Sequence, residues 1–205
     1  MIGRCDDKMT TELEKQQNGE LYDAHDPIFK RYKDEANHFL MVYNQTPYDQ
    51  ADKRRTLLEQ SLGSIGKNVT VGTPFLCDFA RNIHLGDKIS INMNCSLMDS
   101  AEIRIDGETM VAPNVQIYTG THPVPLSDRL NDQWAAHPEQ HFVRTRSLPV
   151  HIKHGCWIGG GVIILPGVTI GEGTVIGAGS VVTKDIPDHV VAVGNPCHVL
   201  RKIEE

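Results

Sequence analysis

A histidine stands at Thr121-His122-Pro123, where a regular stretch of chain breaks into "IYTGTHPVPLSDRLNDQWAAHPEQHFVRTRSLPV". An imidazole fixed at such a junction can take a proton from a hydroxyl, because its ordinary pKa of about 6.5 lies near operating pH. A well-placed base of this kind contributes roughly 10²–10⁴-fold to a rate. The plain alternative is a surface or core histidine without a chemical role. A second set is cationic: Lys184, Arg201 and Lys202 follow one another near the end of a chain whose net charge is −6. An acidic protein that holds a polyphosphate needs local cations of this sort, although such charges can also merely solubilise a terminus. Zinc chemistry would need three converging histidines. His137 and His141 lie four apart and His151 and His154 three apart, all in or beside the irregular segment rather than on facing repeats, so no metal site is expected.

Two kinds of element must position these residues. Up to about Leu62 the chain reads as helical. "DPIFKRYKDEANHFLMVYNQT" offers Asp26 as N-cap, Pro27 at the first helical position, and Ile28, Phe29, Tyr32, Ala36, Phe39, Leu40 and Tyr43 along one face. "TPYDQADKRRTLLEQSLG" gives a second helix with Leu57, Leu58 and Leu62 at its apolar end and Gly63 as its stop. Residues 1–62 thus form a helical segment that caps the next unit, and Asp23 within it is a candidate substrate contact.

From Ile65 onward the period changes to six: Ile152, Ile158, Ile164, Ile170, Ile176 and Val182, with Cys156, Val162, Val168, Thr174, Ser180 and Ile186 four places after each. This spacing predicts a parallel β-helix of hexapeptides, each contributing one short strand and one turn to a triangular coil. Upstream the triplets Ile65-Val71-Cys77, Leu85-Ile91-Leu97 and Ile105-Val111-Ile117 keep step, with a two-residue slip between them that one corner per turn can absorb. The coil unit spans 63–205, with an inserted loop at about 120–149 and a C-terminal tail. "GNP" after Val193 stops the coil, since proline cannot donate to a ladder. An excursion of about 30 residues inside a repeat array is more often functional than accidental.

Composition narrows the classes further. Hydrophobic residues at 40% and charged residues at 22% suit an ordinary folded protein, and the negative balance argues against a nucleic-acid surface. Five dispersed cysteines (Cys5, Cys77, Cys95, Cys156, Cys197) without a CxxC pair suggest neither a zinc knuckle nor a disulfide framework. The beginning of the chain lacks a signal-peptide core, and no apolar run reaches membrane-spanning length, so a cytoplasmic location is expected.

"CDFARNIHLG", "INMNCSLMD", "APNVQIYTGTHPV", "CWIGGGVIILPGVTIGEGTVIGAGSVVTKDIP" and "VGNPCHVLRKI" together resemble the maltose and galactoside O-acetyltransferases of the hexapeptide acyltransferase superfamily, as does "GELYDAHDP" near the start. The resemblance implies a left-handed parallel β-helix assembled as a homotrimer, with acetyl-CoA in a groove between neighbouring prisms. It implies that His122 is the general base while an acceptor sugar hydroxyl attacks the thioester directly, and that the Gly160 N–H meets the developing oxyanion. Asp78, Asn92 and Asp99 fall at acceptor-binding positions. Trp157 resembles an aromatic that walls the site from the adjacent subunit. Ala178 and Ser180 fall beside the pantetheine arm, Thr183 and Lys184 against the cofactor, and Arg201 near its phosphates. His198 stands where the family usually has Arg or Lys, Asp106-Gly107 where Gly-Asp is usual, and the loop carrying Trp134, His137 and His141 is longer than the family's.

Other readings of the same scaffold are an acyltransferase for an antibiotic or other small alcohol, a metal-dependent hydratase, and a non-catalytic oligomeric scaffold.

Overall fold

The computed structural model describes residues 10–204; Cys5 and the start of the chain lie outside the described residues. Three helices come first. Helix α1 (Glu12–Gln17) opens on a capping box, in which the Thr11 side chain accepts from the Glu14 N–H and the Glu14 carboxylate accepts from the Thr11 N–H. This helix was not among the expected elements. Helix α2 (Pro27–Gln45) begins as its residues dictate: the Asp26 carboxylate accepts from the Ile28 N–H at 2.9 Å, and Pro27 occupies the first turn. Its buried side is Phe29, Tyr32, Ala36, Phe39 and Tyr43, with Ile28 and Leu40 half-buried. Helix α3 (Ala51–Ser61) buries Leu58 and Arg54.

The remainder is a parallel coil with three faces. Strands Ser64–Ile65, Ile83–Leu85, Ile103–Ile105, Val150–Ile152 and Thr169–Ile170 form the first face. Thr70–Val71, Ser90–Ile91, Met110–Val111, Trp157–Ile158, Val175–Ile176 and Val190–Val193 form the second. Phe75–Cys77, Cys95–Met98, Gln116–Tyr118, Ile163–Ile164 and Val181–Val182 form the third. Ile152, Ile158, Ile164, Ile170, Ile176 and Val182 all point into the prism with no exposed surface. Burying one such side chain is worth about 1.5–3 kcal/mol, so the ladder is the main cohesive force of the coil.

The two-residue slip has a structural location. Register advances by 20 residues per turn below, where Ser64 faces His84 and His84 faces Arg104, and by 18 above, where His151 faces Thr169. The extra residues lie at the corner between the third face and the first, in 78–82 and again in 99–102. The long insertion, 119–149, leaves from that same corner one turn higher. It is less irregular than its sequence suggests: Gly120–Thr121 and Arg146–Ser147 pair as an antiparallel ribbon, and a short helix, α4 (Leu126–Arg129), follows.

Both open ends of the stack are covered. Below, the Tyr43 hydroxyl and the Arg54 guanidinium both donate to the Val71 carbonyl at 2.8 Å, and the Asn44 amide exchanges two hydrogen bonds with Phe75. These side chains stand in for the missing strand below the first coil. Burial pushes the Tyr43 phenol up to about 12. Above, the segment after "GNP" is a strand rather than a tail: His198–Lys202 doubles back antiparallel on Val190–Val193, so the proline-bearing turn reverses the chain and the last edge is paired. Among the described residues no helix is long and apolar enough to cross a membrane.

Candidate active site

The stacked third-to-first corner gathers the chemistry. A cavity of about 310 Å³ is lined there by Tyr22, Asp78, Ser100, Tyr118, His122 and Thr145, among others. His122 is exposed and leaves the coil directly after the Gly120–Thr121 strand. Its Nδ1 lies 2.9 Å from the Arg144 carbonyl oxygen. A carbonyl can only accept, so Nδ1 carries the hydrogen and Nε2 keeps its lone pair. The backbone has therefore selected the tautomer that a base at Nε2 requires.

The segment that supplies this carbonyl is itself anchored to the N-terminal helices. The Tyr22 N–H donates to the Thr145 carbonyl at 2.9 Å, and the Tyr22 hydroxyl lies 2.9 Å from Ser147 Oγ. Asp23 Oδ1 accepts from the His25 and His141 N–H groups at 2.9 and 3.1 Å, and the Asp23 N–H donates to Glu12 Oε2. The His25 and His141 rings meet edge-on at 4.3 Å. Burial, and then the neighbouring His25, hold His141 below the usual imidazole range. Asp23 also lines a second cavity of about 290 Å³ with His141 and Arg144.

Asp78 reaches the His122 cavity, and its Oδ2 accepts from Ser100 Oγ at 2.9 Å. Asp99, expected as a further acceptor contact, does not. It has no exposed surface, and its carboxylate is filled by the N–H groups of Asp78, Phe79, Ala80 and Asn82 at 2.8–3.1 Å. With no exposed surface, that carboxylate is out of a ligand's reach, and Asp99 is not an acceptor contact. Burial pushes Asp99 up to about 6 against the pull of those N–H groups, and the Asp78 charge adds to the rise. Tyr22, Ser100 and Thr145 line the cavity without having been singled out in the sequence.

The other candidates form a second column. Asn92, Gly160 and Ala178 sit at the corner between the second and third faces, Gly160 and Ala178 on successive coils and Asn92 two coils below Gly160. Trp157 is 52% exposed on the second face beside Met110 and Val175. His198 and Arg201 lie exposed on the last strand, opposite Val193 and Val191 of that face. Thr183 and Lys184 are exposed on the His122 corner, above it. Ser180 is fully buried: its hydroxyl donates to the Gly177 carbonyl and accepts from the Gly194 N–H, so its side chain belongs to the prism rather than to a cofactor groove. The Gly160 carbonyl accepts from the Gly179 N–H. Within one chain the two columns occupy opposite edges of the third face, and Asn92 and Gly160 are not brought to His122.

His151 and His154 pair outward with Asp106 and Glu108, at 2.8 and 3.4 Å. Among the described residues no group of three His, Cys, Asp or Glu side chains is placed to hold a metal ion.

Two family models match this chain: a bacterial transferase hexapeptide of six repeats over residues 149–184, and a maltose acetyltransferase hexapeptide capping motif over residues 15–66. Coil and cap together define a hexapeptide-repeat transferase. A galactoside O-acetyltransferase of Lactococcus lactis is 41% identical over 187 residues, 91% of this chain and 85% of the relative. A crystal structure of a maltose O-acetyltransferase from Clostridium difficile superposes with a TM-score of 0.87 at 43% identity, covering 95% of this chain and 98% of the other. A galactoside acetyltransferase in complex with coenzyme A gives 0.85 at 32% identity, over 94% and 91% of the two chains. The chain belongs to the maltose and galactoside O-acetyltransferase family, and is an acyltransferase built on a left-handed parallel β-helix.

Proposed function

We propose that the protein transfers the acetyl group of acetyl-CoA to a hydroxyl of a sugar or glycoside by direct attack, with His122 as general base. The observation that carries this reading is the Nδ1–H bond to the Arg144 carbonyl, which leaves Nε2 as the free basic atom beside a polar cavity. The acceptor hydroxyl gives its proton to Nε2 as its oxygen attacks the thioester carbonyl. Collapse of the tetrahedral intermediate breaks the C–S bond, and the proton passes from Nε2 to the departing thiolate, leaving ester and free coenzyme A. Asp78 accepts a hydrogen bond from another acceptor hydroxyl. The coenzyme A complex of the galactoside acetyltransferase supports the choice of donor.

A homotrimer completes the site in this reading. Outward residues on the first face are polar or charged at Ser64, His84, Arg104, His151 and Thr169. Those on the parallel strands of the second are Thr70, Ser90, Met110, Trp157, Val175 and Val191, and on the third Leu76, Ser96, Gln116, Ile163 and Val181, none of them charged; charge enters the second face only at its last strand, with Arg201 and Lys202. Uncharged faces suit burial against neighbouring copies. Packing edge to edge would bring Asn92, Trp157 and Gly160 of one copy to His122 of the next, with the Gly160 N–H facing the oxyanion. Lys184, Arg201 and His198 would line the coenzyme's path. Cys77, Cys95, Cys156 and Cys197 are free thiols, which suits a reducing cytoplasm.

The test is an acceptor panel of mono- and disaccharides, glycosides and non-sugar alcohols incubated with acetyl-CoA, read by thiol release and product mass. Turnover of sugars with a mass gain of one acetyl group is expected. Turnover confined to non-sugar alcohols would overturn the acceptor class, and a monomer in sedimentation that binds no coenzyme A would overturn the site.

A further inference from the structure

Asp99 has been displaced from acceptor binding by its burial, yet it is a carboxylate held inside a β-helix, and its partners say why. Oδ1 takes the N–H groups of three successive residues, Asp78 at 3.0 Å, Phe79 at 2.8 Å and Ala80 at 3.1 Å, while Oδ2 takes Asn82 N–H at 3.1 Å. The Asn82 side-chain amide returns a bond to the Asp99 carbonyl at 2.8 Å. Consecutive N–H groups converging in this way make an anion-binding concavity, and Ala80 adopts the positive φ of 63° that closes it. The anion in it is the chain's own, supplied by the next coil up.

The turn so held is the one that carries Asp78. Phe79, the next residue, is locked from the other side, stacked on Phe29 at 6.0 Å and edge-on to Tyr32 at 5.9 Å. Ser100, the residue after Asp99, donates its hydroxyl to Asp78 Oδ2. One dipeptide, Asp99-Ser100, therefore fixes both the backbone and the carboxylate of Asp78.

We infer that Asp99 is a positioning residue for the acceptor: its buried carboxylate shapes the 78–82 turn so that Asp78 presents its free oxygen to the substrate beside His122. The inference rests on the acetyltransfer reading and adds a residue that never touches the acceptor to the determinants of acceptor affinity.

The Asp99→Asn protein tests it, because an amide can still accept at one oxygen but sets an NH₂ against the Asn82 N–H. The expected result is an acceptor KM raised about tenfold, the scale of one hydrogen bond to a charged group. KM for acetyl-CoA and kcat should stay within about twofold. In an Asp78→Ala background the same change should add nothing further, since its route to the substrate is gone. Equal losses in both KM values, a fall in kcat alone, or full additivity with Asp78→Ala would overturn the assignment. Should Asp99→Asn fail to fold, Asn82→Ala removes only the side-chain bond to the Asp99 carbonyl, and the same acceptor-only shift is expected at smaller size; none would refute the proposal. Amide hydrogen exchange of 78–82 is the arm independent of turnover. Protection lost in Asp99→Asn while the coil strands keep theirs is expected, and unchanged protection sinks the proposal even if no acceptor is turned over. Absence of turnover by the unaltered protein would count against the acetyltransfer reading alone.

Discussion

Replacing His122 with alanine separates catalysis from folding more cleanly than any other change. The ring is exposed and makes one hydrogen bond, Nδ1–H to the Arg144 carbonyl. Losing that bond costs about 1 kcal/mol of stability, and no cavity opens because the side chain lies outside the prism. Losing a general base costs 10²–10⁴ in turnover, which is about 3–5 kcal/mol of barrier. The catalytic loss should therefore exceed the structural one severalfold in free energy. Steady-state thiol release at saturating acceptor and acetyl-CoA gives kcat, and thermal melting of the same sample gives stability. The expected outcome is a 10²–10⁴-fold fall in kcat with KM for acetyl-CoA nearly unchanged and a melting point within a few degrees of the original. A single-digit loss in kcat from a folded protein would remove His122 from the role of base. A large melting shift would show that the ring has a structural duty the geometry does not reveal.

Glycines at one corner should answer differently. A Cβ at Gly159 would meet the Ala178 nitrogen at 2.6 Å and the Ile176 oxygen at 2.7 Å, both backbone, so Gly159→Ala should destabilise the coil by about 1–3 kcal/mol in denaturant titration. At Gly160 the nearest atom is the Pro113 oxygen at 3.5 Å, so Gly160→Ala should fold with unchanged stability. Cys156 is pushed up to about 11 from an ordinary value near 9, chiefly by burial. The unfolded thiol ionises first, so stability should fall as pH rises from about 9 to 11, seen as a declining melting point, with Cys156→Ala flattening that slope. Lys184→Ala and Arg201→Ala should each raise KM for acetyl-CoA about tenfold, the scale of one charge-assisted contact, and leave acceptor KM alone.

The coil was legible because a single variable, the six-residue step, sets which side chains enter the prism; Ile152 through Val182 are all fully buried. The corner slip was legible too, as a break in that step. Helix α1 escaped although Thr11 and Glu14 spell a capping box, because six residues carry too little periodicity to stand out. The final strand escaped because every residue from His198 to Lys202 is exposed and alternation is absent. Asp99 could have been placed inward by carrying the alternation of Leu97 one residue past the end of its strand; its carboxylate argued for the outside, and the four N–H groups that reverse that argument come from the preceding coil. Tyr22 and Thr145 pair across more than a hundred residues, a contact that no local pattern announces.

The corner from which the long insertion departs has a consequence for variation. Tyr118 and Val150 are registered with the coil below through Met98 and Ile103, so the prism is closed on both sides whatever the chain does between them. Lengthening a flexible excursion is cheap, about 0.6 kcal/mol for each doubling. The site is thereby mounted like a lens in a threaded barrel: segments of different length and composition can be exchanged at that seat, altering what is admitted to His122, while the stack that carries them keeps its thread.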